Sequence, residues 1–240
     1  MKITADLMHF KELNDAVKAS PDREIVIDHC VGQRYIGSGL SGREITINGT
    51  PGNALGAYLD GSVIHVNGNA QDAVGDTMNE GAIYIHGSSG DATGYAMRGG
   101  KILVRGNAGY RAGIHMKAYK DKIPVLVIGG KAGSFLGEYQ AGGYIIVLGL
   151  GFEEQSPVGY FCGTGMHGGK IFLRTAHLPA DLPSQVAARE ATGEDMAEIA
   201  PYLGEYGREF GVDKAEIDNT PFQVLVPNTK NPYKQLYTHN

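Results

Sequence analysis

Ile64-His65-Val66-Asn67-Gly68 recurs 19 residues later as Ile83-Tyr84-Ile85-His86-Gly87, and after the same step as Ile102-Leu103-Val104-Arg105-Gly106. One step earlier the same pattern reads Ile45-Thr46-Ile47-Asn48-Gly49. Other columns keep the period. Ile36, Leu55, Val74, Thr93 and Ala112 form one, Gly37, Gly56, Gly75, Gly94 and Gly113 the next, and Leu40, Leu59, Met78, Met97 and Met116 a third. A unit this short cannot bury its own apolar face, whereas stacked units bury a continuous core. Each unit holds one period-2 strand bounded by glycines and leaves no room for a crossover helix. The unit therefore reads as one rung of a single-stranded, right-handed parallel β-helix.

Further rungs follow on either side. Ile25-Val26-Ile27-Asp28 lies upstream, and Val125 to Gly129 follows a four-residue insertion. Ile145 to Gly149 and Ile171 to Arg174 come next. About eight rungs at ~4.8 Å make roughly 35 Å of stack. Three regions result: an N-terminal helical cap at 1–23, the β-helix at 24–175, and C-terminal helices with a docking arm at 176–240. Leu7, Phe10, Leu13 and Val17 fall on one helical face of the cap. Residues 176–212 are expected to be helical. Residues 213–240 are expected to form an extended arm anchored by Phe222, Tyr233 and Tyr237. Outward strand positions change from Thr46, Asn48, His65, Asn67, Tyr84 and His86 to Leu126, Ile128, Ile146, Leu148 and Phe172. A strand apolar on both faces is covered on both, here by the C-terminal helices or by another polypeptide.

Composition narrows the function classes. Glycine supplies 36 of 240 residues, about twice the usual ~7%, and the excess sits in the repeat. The net charge of -5 and the lack of a basic run argue against nucleic acid and anionic membranes as partners. No apolar stretch approaches a membrane span, and Met1 to Asp6 lacks a signal-peptide core. These features lead to the expectation of a cytoplasmic protein. Cys30 and Cys162 form no CxxC pair, so the chain offers no cluster motif of its own.

Several motifs dissolve into the repeat. Gly37 to Gly42 and Gly163 to Gly168 match GxGxxG, but strands follow them where a dinucleotide site needs a helix. Gly99-Gly100-Lys101 and Gly168-Gly169-Lys170 resemble the end of a P-loop, yet Ile102 and Ile171 replace its Ser/Thr. His65 and His86 occupy neighbouring rungs in different columns and lack a third ligand, so a solvated sheet face explains them. Cys162 shares the column of Ile36 and Val74 and reads as a buried small hydrophobe; His167 nearby makes a Cys/His nucleophile the competing reading. Glu153-Glu154 reads as a solvated loop. No catalytic, cofactor-binding or metal-binding residue is assigned. The insertions Lys117 to Pro124, carrying Tyr119, and Leu150 to Val158 are candidate partner contacts.

The glycine pattern, from Gly32 to Gly42, Gly56 to Gly61, Gly75 to Gly81, Gly94 to Gly100, Gly137 to Gly143 and Gly163 to Gly169, resembles the GXGXG domain. That domain is the C-terminal β-helix of the glutamate synthase large subunit. The tail around Glu198 to Leu203, Phe210 to Asp213 and Pro232 to Tyr237 is similar to a stand-alone form of it. The resemblance implies a scaffold without catalytic residues. Such a scaffold would hold a glutamine amidotransferase and an FMN-binding synthase subunit in register. In that family, ammonia from glutamine passes to 2-oxoglutarate, and FMN and iron–sulfur clusters on the partner subunits supply the electrons. The β-helix subunit of formylmethanofuran dehydrogenase shares the repeat and gives the alternative. A self-associating β-helix binding protein is the third reading.

Overall fold

The computed structural model describes residues 1–228. In chain order the elements are β1 (Lys2–Thr4), α1 (Phe10–Ala19), β2 (Glu24–Val31), β3 (Glu44–Thr50), β4 (Asp60–Asn67), β5 (Glu80–Ile85), β6 (Lys101–Val104) and β7 (Val125–Ile128). There follow β8 (Ala141–Val147), β9 (Gly168–Arg174), β10 (Val186–Glu190), α2 (Gly193–Phe210), α3 (Lys214–Asp218) and β11 (Phe222–Pro227). The chain is mainly β, and its strands form one sheet in the order β1 to β9, then β11, then β10. Neighbours from β1 to β9 pair in parallel, whereas β11 runs antiparallel to both β9 and β10.

Period-2 alternation sets the inward face. Ile25, Ile45, Ile64, Ile83, Ile102, Leu126, Ile145 and Ile171 stand in register, and all are buried. The column corrects one expectation. Leu126 pairs with Ile102, so Leu126 and Ile128 face inward, while Val125 and Val127 take the outward positions. The step into β7 is one residue longer than the glycine spacing implies. A one-residue slip exchanges the two faces of a strand. The slip is invisible in the sequence because all four residues of β7 are apolar.

Two further ladders join successive units. Ala70, Ser89, Ala108, Ala132 and Val158 form parallel bridges. Gly56, Gly75, Gly94, Gly113, Gly137 and Gly163 each donate a backbone N–H to the preceding unit, at 2.7–2.9 Å. Side chains assist at the turns. Asn69 accepts from the Ser88 N–H, Ser88 from the Asn107 N–H, and Asn107 from the Lys131 N–H. Loop backbone that would otherwise depend on water is thus satisfied by the neighbouring unit.

The glycine column has a steric cause beyond its left-handed backbone. Non-glycine residues such as Ala54, Ala73 and Tyr58 also adopt positive φ in these turns, so conformation alone does not demand glycine. At Gly75 a Cβ would sit 2.4 Å from Ile102 Cδ1, and at Gly113 2.4 Å from Ile145 Cδ1. The tip of each strand isoleucine fills the space above the glycine. Gly94 faces Leu126 instead, at 3.6 Å, with Met97 Sδ at 3.1 Å. Gly75→Val is therefore expected to cost about 3 kcal/mol, from overpacking added to left-handed strain, and Gly94→Val less. Thermal melts of the two variants check this; equal losses would remove the isoleucine contact as the cause.

The ends differ in part from expectation. Leu13 and Val17 of α1 are buried, but Leu7 precedes the helix and is 96% exposed. Lys2–Thr4 adds a strand that its three residues gave no period to reveal. Residues 176–212 are not wholly helical, because Val186–Glu190 is a strand. Phe222 is buried as expected, at the start of β11. Tyr233 and Tyr237 lie outside the described residues. No helix among the described residues is long and apolar enough to cross a membrane.

Candidate functional site

The outward sheet face is where side chains from several units converge. His65, Tyr84, Leu103, Val127, Ile146 and Phe172 form one outward column from β4 to β9. Beside it run Ala82, Lys101, Val125, Tyr144 and Lys170. The first column is thus apolar toward β9 and polar toward β4, while the second carries Lys101 and Lys170.

Helix α2 lies across it. Thr192 caps the helix and Asp195 completes a capping box, while Gly211 closes the other end in the left-handed conformation. Its 18 residues make ~27 Å, and β4 to β9 span about 24 Å at ~4.8 Å per strand. Ile199, Leu203, Tyr206 and Phe210, spaced for one helical face, pack with Leu103, Val125, Val127, Ile146, Leu148 and Phe172 into a second core. The late outer face is therefore covered by the chain's own C-terminal region.

A second stripe on α2, Asp195, Glu198, Glu205 and Glu209, meets the polar side chains of the sheet. Lys170 Nζ donates to Asp195 Oδ1 at 2.8 Å and to Glu198. Lys101 Nζ donates to Glu205 Oε2 at 2.7 Å, and the Tyr84 hydroxyl donates to the other oxygen of that carboxylate. Burial, reinforced by the Glu205 charge, pushes the Tyr84 phenol well above its ordinary range. His65 Nδ1 and His86 Nε2 each lie 3.2 Å from Glu209 Oε1. These histidines are half-buried beneath α2 rather than on a solvated face. Glu209 is the third group that the local pattern lacked.

Asp195 is nearly enclosed, with a side chain 3% exposed. The Arg189 guanidinium holds its carboxyl far below the usual range, aided by Lys170 and Thr192 against the opposing effect of burial. Because the folded-state value is depressed, the stabilisation is present above the unfolded value of ~3.9 and lost as pH falls. Asp195→Asn is therefore expected to flatten the loss of urea stability between about pH 5 and about pH 2. An unaltered profile would show that the carboxylate contributes nothing through its charge.

The family model described as the GXGXG motif matches residues 18–226. The chain belongs to the GXGXG family. The uncharacterized protein MJ1350 of Methanocaldococcus jannaschii is 45% identical over 249 residues, covering 98% of this chain and 95% of that protein. A chain of the formyltransferase/hydrolase complex FhcABCD from Methylorubrum extorquens, solved in complex with methylofuran, aligns with a TM-score of 0.62 at 19% identity. That alignment covers 91% of this chain and 86% of the other, so the two share a fold.

Within this GXGXG chain the other candidates resolve structurally. Cys162 is 1% exposed in the inward core, and burial pushes its thiol up to about 12. A thiol so placed is not an activated nucleophile. His167 Nδ1 donates to the Gly165 carbonyl at 3.2 Å. The two GxGxxG segments lead into β3 and β9, and Lys101 and Lys170 pair with carboxylates of α2. Tyr119 at the first insertion is exposed, and Lys122 beside it donates to Glu80 at 2.8 Å. In the second insertion Glu153 is not a simple solvated side chain, because its Oε1 lies 3.5 Å from the buried Arg174.

Proposed function

We propose that this chain is the non-catalytic scaffold subunit of a split glutamate synthase, built as a right-handed parallel β-helix of about eight rungs. The observation that carries the reading is the continuity of strand pairing through the family-matched residues 18–226, from β2 to β9 and on to β11. Inward positions are packed with isoleucine, the outward face from β4 to β9 is covered by α2, and Asp195, Glu198, Glu205 and Glu209 of that helix have partners on the sheet. Such a body offers fixed geometry, which a reaction coupled through passed ammonia needs. The helical cap, β-helix and C-terminal region act in this proposal as one support. A glutamine amidotransferase and an FMN-binding synthase subunit would dock on it in the cytoplasm, bringing FMN and iron–sulfur clusters. Tyr119 and, in the second insertion, Glu154 and Gln155 are exposed and would meet them.

The likeness to a chain of a formyltransferase/hydrolase complex favours a second reading, the β-helix subunit of a formylmethanofuran dehydrogenase-type assembly. Affinity capture of the chain from its host, with mass spectrometry of what accompanies it, separates the two. The expected result is recovery of an amidotransferase and an FMN-binding synthase. A pterin-dependent dehydrogenase would establish the second reading, and the chain alone as a defined oligomer would overturn both.

A further inference from the structure

We propose that His65, His86 and Glu209 bind one divalent transition-metal ion, zinc by preference, which fastens the C-terminal end of α2 to the outward face of the sheet. This inference stands apart from the choice of partner enzyme.

Three segments distant in sequence supply the ligands: β4, the residue following β5, and the last turn of α2. One donor atom from each lies within 4.8 Å of the others. Zinc–nitrogen and zinc–oxygen bonds of ~2.0–2.1 Å in a tetrahedron put neighbouring ligand atoms about 3.3 Å apart. The two 3.2 Å separations from Glu209 Oε1 to His65 Nδ1 and His86 Nε2 already have that length. Closing the nitrogen–nitrogen edge needs a shift of at most about 1.5 Å, which small side-chain rotations supply.

The surroundings suit a cation. Among the described residues Glu209 makes ion pairs only with these two imidazoles, whereas Glu205 one turn earlier has Lys101. A divalent ion seated between the three donor atoms would meet that carboxylate directly. The rings are held before any ion arrives. His65 stacks on Tyr84 with centroids 4.7 Å apart, and His86 meets the edge of Phe210 at 5.1 Å. Tyr84 is itself fixed by its hydrogen bond to Glu205. Such outer contacts orient metal-binding histidines. Side-chain exposures of 27%, 32% and 24% for His65, His86 and Glu209 leave a fourth position for water. Two imidazoles and one carboxylate select zinc over magnesium or calcium, which favour all-oxygen sets.

The test is calorimetric titration of the chelator-stripped full chain with zinc, alongside thermal melts with and without the ion. One zinc per chain is expected, with a higher melting temperature in its presence. His86→Ala and Glu209→Gln are each expected to weaken binding at least tenfold and to abolish the thermal shift, with metal-free melting close to that of the parent. Glu209→Gln keeps the packing of α2 and so decides the matter if His86→Ala fails to fold. Absence of stoichiometric binding by the parent chain overturns the proposal, as does unchanged affinity in Glu209→Gln. Displacement of the zinc by excess magnesium would overturn the stated preference.

Discussion

Arg174→Met is expected to lower the unfolding free energy by about 3–5 kcal/mol, because several buried acceptors lose their donor at about 1–3 kcal/mol each. The Arg174 side chain is wholly enclosed. Its Nε donates to the Ile217 carbonyl, Nη1 to the Leu148 carbonyl and Nη2 to the Glu216 carbonyl, each at 2.8 Å. A further donation reaches the Asn219 side chain. One guanidinium thus ties the end of β8, the end of β9 and the α3 segment together. Methionine matches much of the volume but donates to none of these oxygens, and buried acceptors left without donors carry a full desolvation cost. Lysine fares little better, because a single ammonium cannot span acceptors arranged around a planar fork. Urea unfolding of both variants checks this. A loss below about 1 kcal/mol, the net worth of a single ordinary hydrogen bond, would mean that water replaces the arginine.

Gly129→Ala is expected to cost about 4 kcal/mol or more, at the upper end for a single substitution. An added Cβ would lie 1.8 Å from Tyr206 Oη and 2.1 Å from the Arg105 carbonyl oxygen. Tyr206 is fully buried and donates to that same carbonyl at 3.0 Å. The methyl group therefore expels the central anchor of α2 and presses on a backbone oxygen between adjacent strands. Combining it with Tyr206→Phe separates the two effects. The hydroxyl clash disappears in the double variant, whereas the carbonyl clash and the 2.9 Å approach to the ring Cζ remain, so rescue is expected to be partial. Full recovery of stability in thermal or urea unfolding would show that neither remaining contact carries a cost.

The repeat was legible in the sequence because isoleucine and glycine each recur for a steric reason at a fixed step. From Ile45 to Ile102 the spacing assigned strand, face and register together. Legibility failed at β7, where Val125 to Ile128 are all apolar and a one-residue slip leaves no mark. It failed again at Val186–Glu190, whose five residues alternate too weakly to announce a strand. The acidic stripe from Asp195 to Glu209 was visible at helical spacing, and it could have been set against Lys101, Lys170 and the two histidines. What no local pattern supplies is the fact that β4 and α2 meet, since their contacts join residues more than a hundred positions apart. Arg174 was hidden for a different reason: its acceptors are backbone carbonyls, which every residue carries.

The reach of α2 also shapes how the molecule comes apart. In a stack each unit touches only its neighbours, so opening can start at an end and progress unit by unit. The side chains that α2 engages run from His65 on β4 to Phe172 on β9. Those six strands cannot loosen singly without detaching the helix, so they open as one cooperative foldon. β1 to β3 lie beyond its grip, with α1 as their support. Amide exchange should accordingly divide the sheet between β3 and β4, a boundary drawn by the length of a helix rather than by any break in the repeat.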